Sequence, residues 1–419
     1  MKEDRIDQKD KSLRNTVEFP HMPPLKTRLE LLKELFPDVP RYRTDQIEAA
    51  LFQPELKSYE EITTLPKVMR GTLMSSVPWI SVEAEKVLES IKKDTAKAIL
   101  KAQDGLRFES VLMANARDQW TICVSSQIGC AMGCTFCATG AMGFKRNLTG
   151  DEITDQYRFW KNFLRDGGFV TPSRVTLPAR RSLGAGGSSP SVSEGVSKGG
   201  SATQPDTTQR ISNVVFMGMG EPLGNYENVK DAIHRWLKHT DIGPTRITVS
   251  TVGVLMNMER LLKDPDWPPV RIAVSLHSAD QKRREEIVPT TVPDFLIKLA
   301  DWSHRYAHTL GNRRHHITYE YTLLSGVNDT PEIAEELAQY IRKTSFAKVN
   351  VIPWNPVKGK AFSTSATDRI EKFKAVLRAH GIDVTQRRTM GDDIAAACGQ
   401  LITESAEPPN GRRIPLMPS

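Results

Sequence analysis

The chain has 419 residues, 39% hydrophobic and 26% charged, enough for two or three domains at about 150 residues each. That balance excludes a disordered chain, and no stretch reaches the ~18 apolar residues of a spanning helix, so a membrane role is excluded too. Lys and Arg at 57 against Asp and Glu at 50 give +7, which favours a polyanionic partner such as nucleic acid.

Residues 1–20 are polar and aperiodic, and read as a flexible tail. Met1–Asp7 is acidic without an apolar core, unlike a secretory or transit leader, so the cytoplasm is expected. Residues 21–94 read as a small helical accessory domain. Leu29, Leu32, Leu35 and Phe36 recur at helical spacing before Pro37, and amphipathic segments follow at Asp45–Phe52, Ser58–Met74 and Val82–Lys93. Residues 95–118 read as a β-hairpin extension, with Asp104-Gly105 between the strand-like runs Ala96–Gln103 and Leu106–Met113.

From residue 119 to 401 apolar runs alternate with amphipathic helices. Strands are predicted at Gln119–Ser125, Ser212–Met217, Arg246–Thr251, Val270–Leu276, His316–Leu324 and Lys348–Pro353. Helices are predicted near Asp151–Arg165, Asn228–Lys238, Ile333–Lys343 and Asp368–His380. This is an α/β pattern of about six βα units around a parallel sheet, too few for a closed eight-fold barrel, so an open partial barrel is expected. Residues 172–210 are mostly Gly, Ser, Pro and Thr and read as a disordered insertion. Residues 402–419 read as a second flexible tail.

Five cysteines are too few for a disulfide framework in a chain this long. Cys130-Ala-Met-Gly-Cys134-Thr-Phe-Cys137 places three thiols after a strand, where they can converge on one metal centre. Three cysteines suit a 4Fe–4S cluster with one open iron. A zinc site completed by Cys123, or plain buried cysteines, are the alternatives.

C-x₃-C-x-aromatic-C, with Phe136 at the aromatic position, resembles the signature of radical S-adenosylmethionine (SAM) enzymes. Cys123-Val-Ser-Ser-Gln-Ile-Gly-Cys130, Met217-Gly-Met-Gly-Glu-Pro222, Ser275-Leu-His-Ser278 and Gly391–Leu401 resemble the RlmN/Cfr family of rRNA adenine methyltransferases. The likeness runs from about Tyr42 to Leu401, apart from the insertion.

The resemblance implies a partial (βα)6 radical SAM barrel, with Cys130, Cys134 and Cys137 holding a 4Fe–4S cluster. It implies that Gly220, Glu221, Ser250, Ser275, Leu276, His277 and Asn355 form a SAM pocket at the strand ends. By the same resemblance Cys398 carries a methyl group taken from a first SAM, and a second SAM supplies the radical. Cys123 then resolves the enzyme–RNA adduct through a disulfide, and Glu109 is the base that takes the proton from the methylated carbon. A carboxylate beside Val111 and Met113 on one strand face would have a raised pKa.

The implied product is 2-methyladenosine, at adenosine 2503 of 23S rRNA and adenosine 37 of tRNA. The implied partners are those RNAs and an electron donor such as flavodoxin or ferredoxin, and a monomer is expected. Basic residues at Lys145-Arg146, Arg283-Arg284, Arg313-Arg314-His315-His316 and Arg387-Arg388 suit phosphate contacts. Two rival readings stand beside this one: Cfr-type methylation of carbon 8 of the same rRNA adenosine, and a non-catalytic zinc-stabilised RNA-binding protein.

Overall fold

A computed structural model describes residues 25–115, 119–168, 210–310, 316–345 and 347–401, and the backbone of 412–414. The expected tail 1–20 and all of the 172–210 insertion but Arg210 lie outside the described residues.

The amino-terminal unit consists of α1 (Arg28–Leu35), α2 (Arg41–Leu51) and α3 (Lys67–Ser76). Thr27 opens α1 with a capping box closed by Glu30, which satisfies amides that the first turn leaves without partners. Leu32, Ile47, Leu51, Tyr59, Leu65 and Leu73 form a core of its own.

The amphipathic segment expected to extend this helical domain over Val82–Lys93 is instead a strand, β1 (Val82–Glu89). It pairs antiparallel with β2 (Thr95–Ala102), and its register shifts between Ala84 and Lys86. That irregularity breaks the two-residue alternation, while Glu, Ala and Lys lend helix propensity, so both local signals misled. The hairpin forms as expected. Gly105 takes φ +82°, a conformation only glycine adopts freely, and returns the chain into β3 (Arg107–Ala114).

The main sheet then turns parallel. β4 (Trp120–Cys123) pairs antiparallel with β3 on one side and parallel with β7 on the other. After β4 come β5 (Gln127–Gly129) and β6 (Phe144–Asn147), a separate two-stranded sheet, with the short α4 (Ala138–Ala141) between them. Next is α5 (Gly150–Arg165), started by a capping box from Thr149 and Glu152.

The repeating units are β7 (Ile211–Phe216) with α6 (Tyr226–His239), β8 (Ile247–Thr251) with α7 (Leu255–Lys263), and β9 (Arg271–Ser275) with α8 (Gln281–Ile287) and α9 (Phe295–Thr309). They continue with β10 (Ile317–Leu323) and α10 (Pro331–Ile341), β11 (Ala347–Pro353) and α11 (Thr367–Ala379), then β12 (Asp383–Gln386). Counting β4–α5, these are the six βα units expected, followed by a further parallel strand, β12, that was not. Helices α7, α8 and α9 were not expected either.

The sheet runs β12-β11-β10-β9-β8-β7-β4-β3-β2-β1-β13, where β13 is Arg412–Ile414. Its ends do not meet, so the barrel is open. β13 pairs with β1, which corrects the flexible-tail reading for those three residues. Trp160, Trp236, Trp302 and Phe373 fill the layer between sheet and helices without solvent exposure.

Buried charge fastens the helical unit to the barrel. Arg28 on α1 bonds Asp151 (2.9 Å) and Asp155 on α5, and Arg158 bonds Asp155 (2.6 Å) and the Leu51 carbonyl (2.6 Å).

Candidate functional site

Strand order places every candidate at one end of the sheet, where the parallel strands finish and barrel sites gather. One cavity there is lined by Cys130, Cys134, Cys137, Gly220, Glu221, Ser250, Ser275 and His277. A smaller cavity beside it is lined by Met113, Cys123, Arg387 and Asn355. Cys398 lines both.

The cysteine loop leaves β5 and is fixed from three directions. The Cys130 amide donates to Gly143 (3.0 Å), the Thr135 amide to Ile287 (3.0 Å), and the Ala138 amide to Gly399 (2.8 Å). Burial pushes the Cys130 thiol up to about 12 and the Cys134 thiol well above its ordinary value, so thiolates here need a metal to hold them charged. Among the described residues no group of three His, Cys, Asp or Glu side chains is placed to hold a metal ion, so the case for the three thiols rests on the cavity they share. Three thiols bordering one cavity fit a larger group, and a 4Fe–4S cluster matches that donor set.

The residues around the cavity are held by their own strands. Gly220 has φ +97° and lies against Gln127, whose Oε1 accepts from the Glu221 amide (2.8 Å). Glu221 accepts from the amides of Leu223 (2.9 Å) and Val252 (2.8 Å). Burial raises its carboxyl to about 7 against those bonds. His277 is left-handed (φ +57°) and fully packed. Its Nδ1 accepts from the Thr322 amide (3.0 Å), so the ring proton sits on Nε2. Burial, aided by the nearby Arg284 charge, lowers its pKa to about 3 and keeps it neutral.

Two expected pocket residues sit differently. The Leu276 side chain lies in the apolar core and the residue lines neither cavity. Asn355 is engaged by the C-terminal loop: its Nδ2 donates to the Cys398 carbonyl (3.0 Å), and its Oδ1 accepts from Thr389 (3.0 Å). That loop, Gly391–Leu401, is also tied by Thr139 Oγ1 to Leu401 (2.7 Å), by the Ile91 amide to Asp393 (2.7 Å) and by Lys97 Nζ to Ala395 (3.0 Å).

Cys123 and Cys398 are both free thiols. The Cys398 side chain is solvent-exposed where it lines the two cavities, and the protein packed around that opening is the burial that raises its thiol. Burial raises both thiols, Cys123 to about 12, and the Arg387 guanidinium opposes the rise in each. Arg387 also faces Glu320, which Asn350 steadies at 2.8 Å.

Glu109 is buried on β3 and lines neither cavity. It does not sit among apolar neighbours alone: Lys97 Nζ lies 3.0 Å from its carboxylate. Met113, on the same strand face, does reach the smaller cavity.

The basic pairs divide. Arg146 is buried against Asp104 (2.6 Å) and Glu152 (2.8 Å), and Arg284 is buried in the barrel, so neither is available to phosphate. Lys145 and Arg388 are exposed. Arg313-Arg314-His315 lies outside the described residues. Lys97, Arg387 and Glu320 escaped sequence reasoning because only tertiary structure brings them together. Arg387 carried a signal, its place in a basic pair, but that pointed outward.

No family model matches the chain. A dual-specificity RNA methyltransferase RlmN of Desulfotalea psychrophila is 37% identical over 367 residues, spanning 87% of this chain and 90% of that relative. The chain belongs to the RlmN family. A further RlmN-family relative, the ribosomal RNA large subunit methyltransferase N of Nitrosopumilus maritimus, is 34% identical across 87% of the chain and 93% of its own length. A solved radical SAM methyltransferase from Sphaerobacter thermophilus superposes with TM-score 0.74 at 34% identity, covering 90% of this chain and 98% of that one. The partial barrel is therefore the radical SAM fold, and the chain is an enzyme of the radical SAM methyltransferase type. Its class implies SAM and a 4Fe–4S cluster, and this displaces the non-catalytic zinc reading. No helix among the described residues is long and apolar enough to cross a membrane.

Proposed function

We propose that this enzyme methylates carbon 2 of adenosine 2503 in 23S rRNA and of adenosine 37 in tRNA, working as a monomer in the cytoplasm. One observation carries the proposal: Cys398 borders the cavity of the three cluster cysteines on one side and the cavity of Cys123 on the other. A carrier must face its methyl donor and its resolving thiol in turn, and Cys398 faces both.

Cys130, Cys134 and Cys137 would hold the cluster. Gly220, Glu221, Ser250, Ser275 and His277 would surround SAM, with Leu276 and Asn355 supporting from the backbone and the C-terminal loop. When bound, two SAM per turnover and an electron from a donor such as flavodoxin or ferredoxin supply a methyl group and a hydrogen-abstracting radical. Cys398 Sγ takes the methyl group by displacement. After giving one hydrogen atom to the 5′-deoxyadenosyl radical, that carbon would bond carbon 2 of adenine and join protein to RNA, the adduct giving up its one unpaired electron to the bound redox group. Glu109 takes the proton from carbon 2. Cys123 Sγ then attacks Cys398 Sγ, forming a disulfide; the electron pair of the broken carbon–sulfur bond leaves with the base, whose methylene takes a proton to become methyl, and a two-electron reductant restores the thiols for the next turnover.

The test is to express Cys123→Ala with its RNA. It should purify with RNA attached, seen as a ribonuclease-sensitive shift on a denaturing gel, and Cys398→Ala should abolish the shift. Normal turnover by Cys123→Ala would overturn the assignment. Mass spectrometry of rRNA and tRNA digests from a host lacking its own enzyme should show 2-methyladenosine, and 8-methyladenosine would establish the carbon 8 reading.

A further inference from the structure

Four arginines are buried among the described residues: Arg28, Arg146, Arg158 and Arg284. Three have carboxylates: Arg28 pairs with Asp151 and Asp155, Arg146 with Asp104 and Glu152, and Arg158 with Asp155. Arg284, the most deeply buried at 1% exposure, differs. Its bonds go to neutral oxygens: the carbonyls of Leu276 (3.1 Å), Ser275 (3.2 Å) and Val252, and the Thr291 hydroxyl. The Phe295 ring covers it at 3.6 Å. A buried charge without a counter-ion is strongly disfavoured, so an anion is to be sought nearby.

The cysteine loop is that neighbour. Ile287, one turn beyond Arg284 on α8, accepts from the amide (3.0 Å) and hydroxyl (3.2 Å) of Thr135. Cys134 packs against Ile287 and Val288. Among the described residues no carboxylate forms an ion pair with Arg284, which sits on the helix whose end is bonded to the cysteine loop.

We propose that Arg284 is the electrostatic counterpart of the cluster, a positioning residue whose charge favours the reduced cluster while its donors clamp the ends of β8 and β9. The inference rests on the cluster assignment above. Reduction adds one electron and makes the cluster more negative by one unit, and a fixed buried cation stabilises that form. The electron comes from an external low-potential donor, which is oxidised by one electron in the same step.

The test compares the wild-type protein with Arg284→Gln, which keeps a donor for the carbonyls without the charge, and Arg284→Lys, which keeps the charge. Each is reconstituted anaerobically, its iron and sulfide are measured, and its midpoint potential is found by spin-resonance titration against reduced viologens. Arg284→Gln should bind iron yet shift to lower potential, by about tenfold in the one-electron equilibrium, about 59 mV. Arg284→Lys should lie much nearer the wild type. Loss of the cluster in Arg284→Gln that Arg284→Lys restores also supports the charge. An unchanged potential in a loaded Arg284→Gln, or cluster loss in both variants, would overturn the inference and leave Arg284 a scaffold. A wild-type protein that assembles no iron and sulfide would fail separately, by removing the cluster assignment itself.

Discussion

Asp155→Asn tests the junction between the helical unit and the barrel. Asp155 is fully buried and accepts from the Ser81 amide (2.6 Å), the Ser81 hydroxyl (2.7 Å), Arg158 (2.6 Å) and Arg28. Burial works against its charge, but the two guanidiniums and the Ser81 amide outweigh it and hold the carboxyl at about 2, from 3.8. About two pH units at 1.36 kcal/mol each make ionised Asp155 worth about 2–3 kcal/mol. Asn mimics the neutral carboxyl and turns an amide donor towards a guanidinium, so at pH 7 the variant should be at least that much less stable.

Because the folded pKa is depressed, this stability is fully present above about 3.8 and is lost as pH falls through about 2. The gap to wild type should be constant from pH 7 to 5, about half as large at pH 3, and closed near pH 1. Urea unfolding of the metal-free protein, followed by tryptophan fluorescence, reads it, since Trp79 lies against Arg158 (5.2 Å) and Tyr59 (5.0 Å). A gap under about 0.5 kcal/mol at pH 7, or one that does not narrow by pH 3, would refute the reasoning.

Gly220→Ala should weaken SAM binding at least tenfold in equilibrium dialysis, because its Cβ would lie 2.4 Å from Gln127 Cβ at φ +97°, strain of about 1–3 kcal/mol before any clash. Lys97→Met leaves Glu109 without its ammonium partner and should slow decay of the enzyme–RNA adduct about tenfold or more, with Lys97→Arg recovering part of the rate; decay at the wild-type rate would separate Lys97 from that step. Asn355→Ala removes the bond to the Cys398 carbonyl, about 1–3 kcal/mol of local support, and should speed hydrogen exchange across residues 391–401 while leaving α10 unchanged.

The parallel strands were legible either as short continuous apolar runs, as in Ile272, Ala273 and Val274 on β9, or as two-residue alternation, as in Tyr319, Tyr321 and Leu323 on β10. The cysteine loop was conspicuous because its three thiols are close in sequence. β12 was not, since four residues alternating around one buried Val384 give too little signal. α8 was missed because Gln281-Lys-Arg-Arg-Glu-Glu286 reads as a solvated run, although Arg284 within it is among the most buried charges in the chain. Lys97 likewise looks like an outward residue of a hairpin, and only the arrival of Ala395 and Glu109 gives it a place. Charges that act inside a fold resemble surface charges until their partners, far off in sequence, are brought alongside.

An early hairpin and a late loop, Gly391–Leu401, meet beside one cavity. β2 and the turn before it hold the loop that carries Cys398, and that loop bonds across 262 residues to α4, just after Cys137. During synthesis the three cluster thiols therefore leave the ribosome long before the segment that will cover them has been made. On the proposed assignment the loop that would hold the cluster is complete in sequence before the acceptor thiol has been made. The order of manufacture separates loading of the cluster from arming of the carrier, and a nascent chain stalled before residue 391 would offer the first without the second.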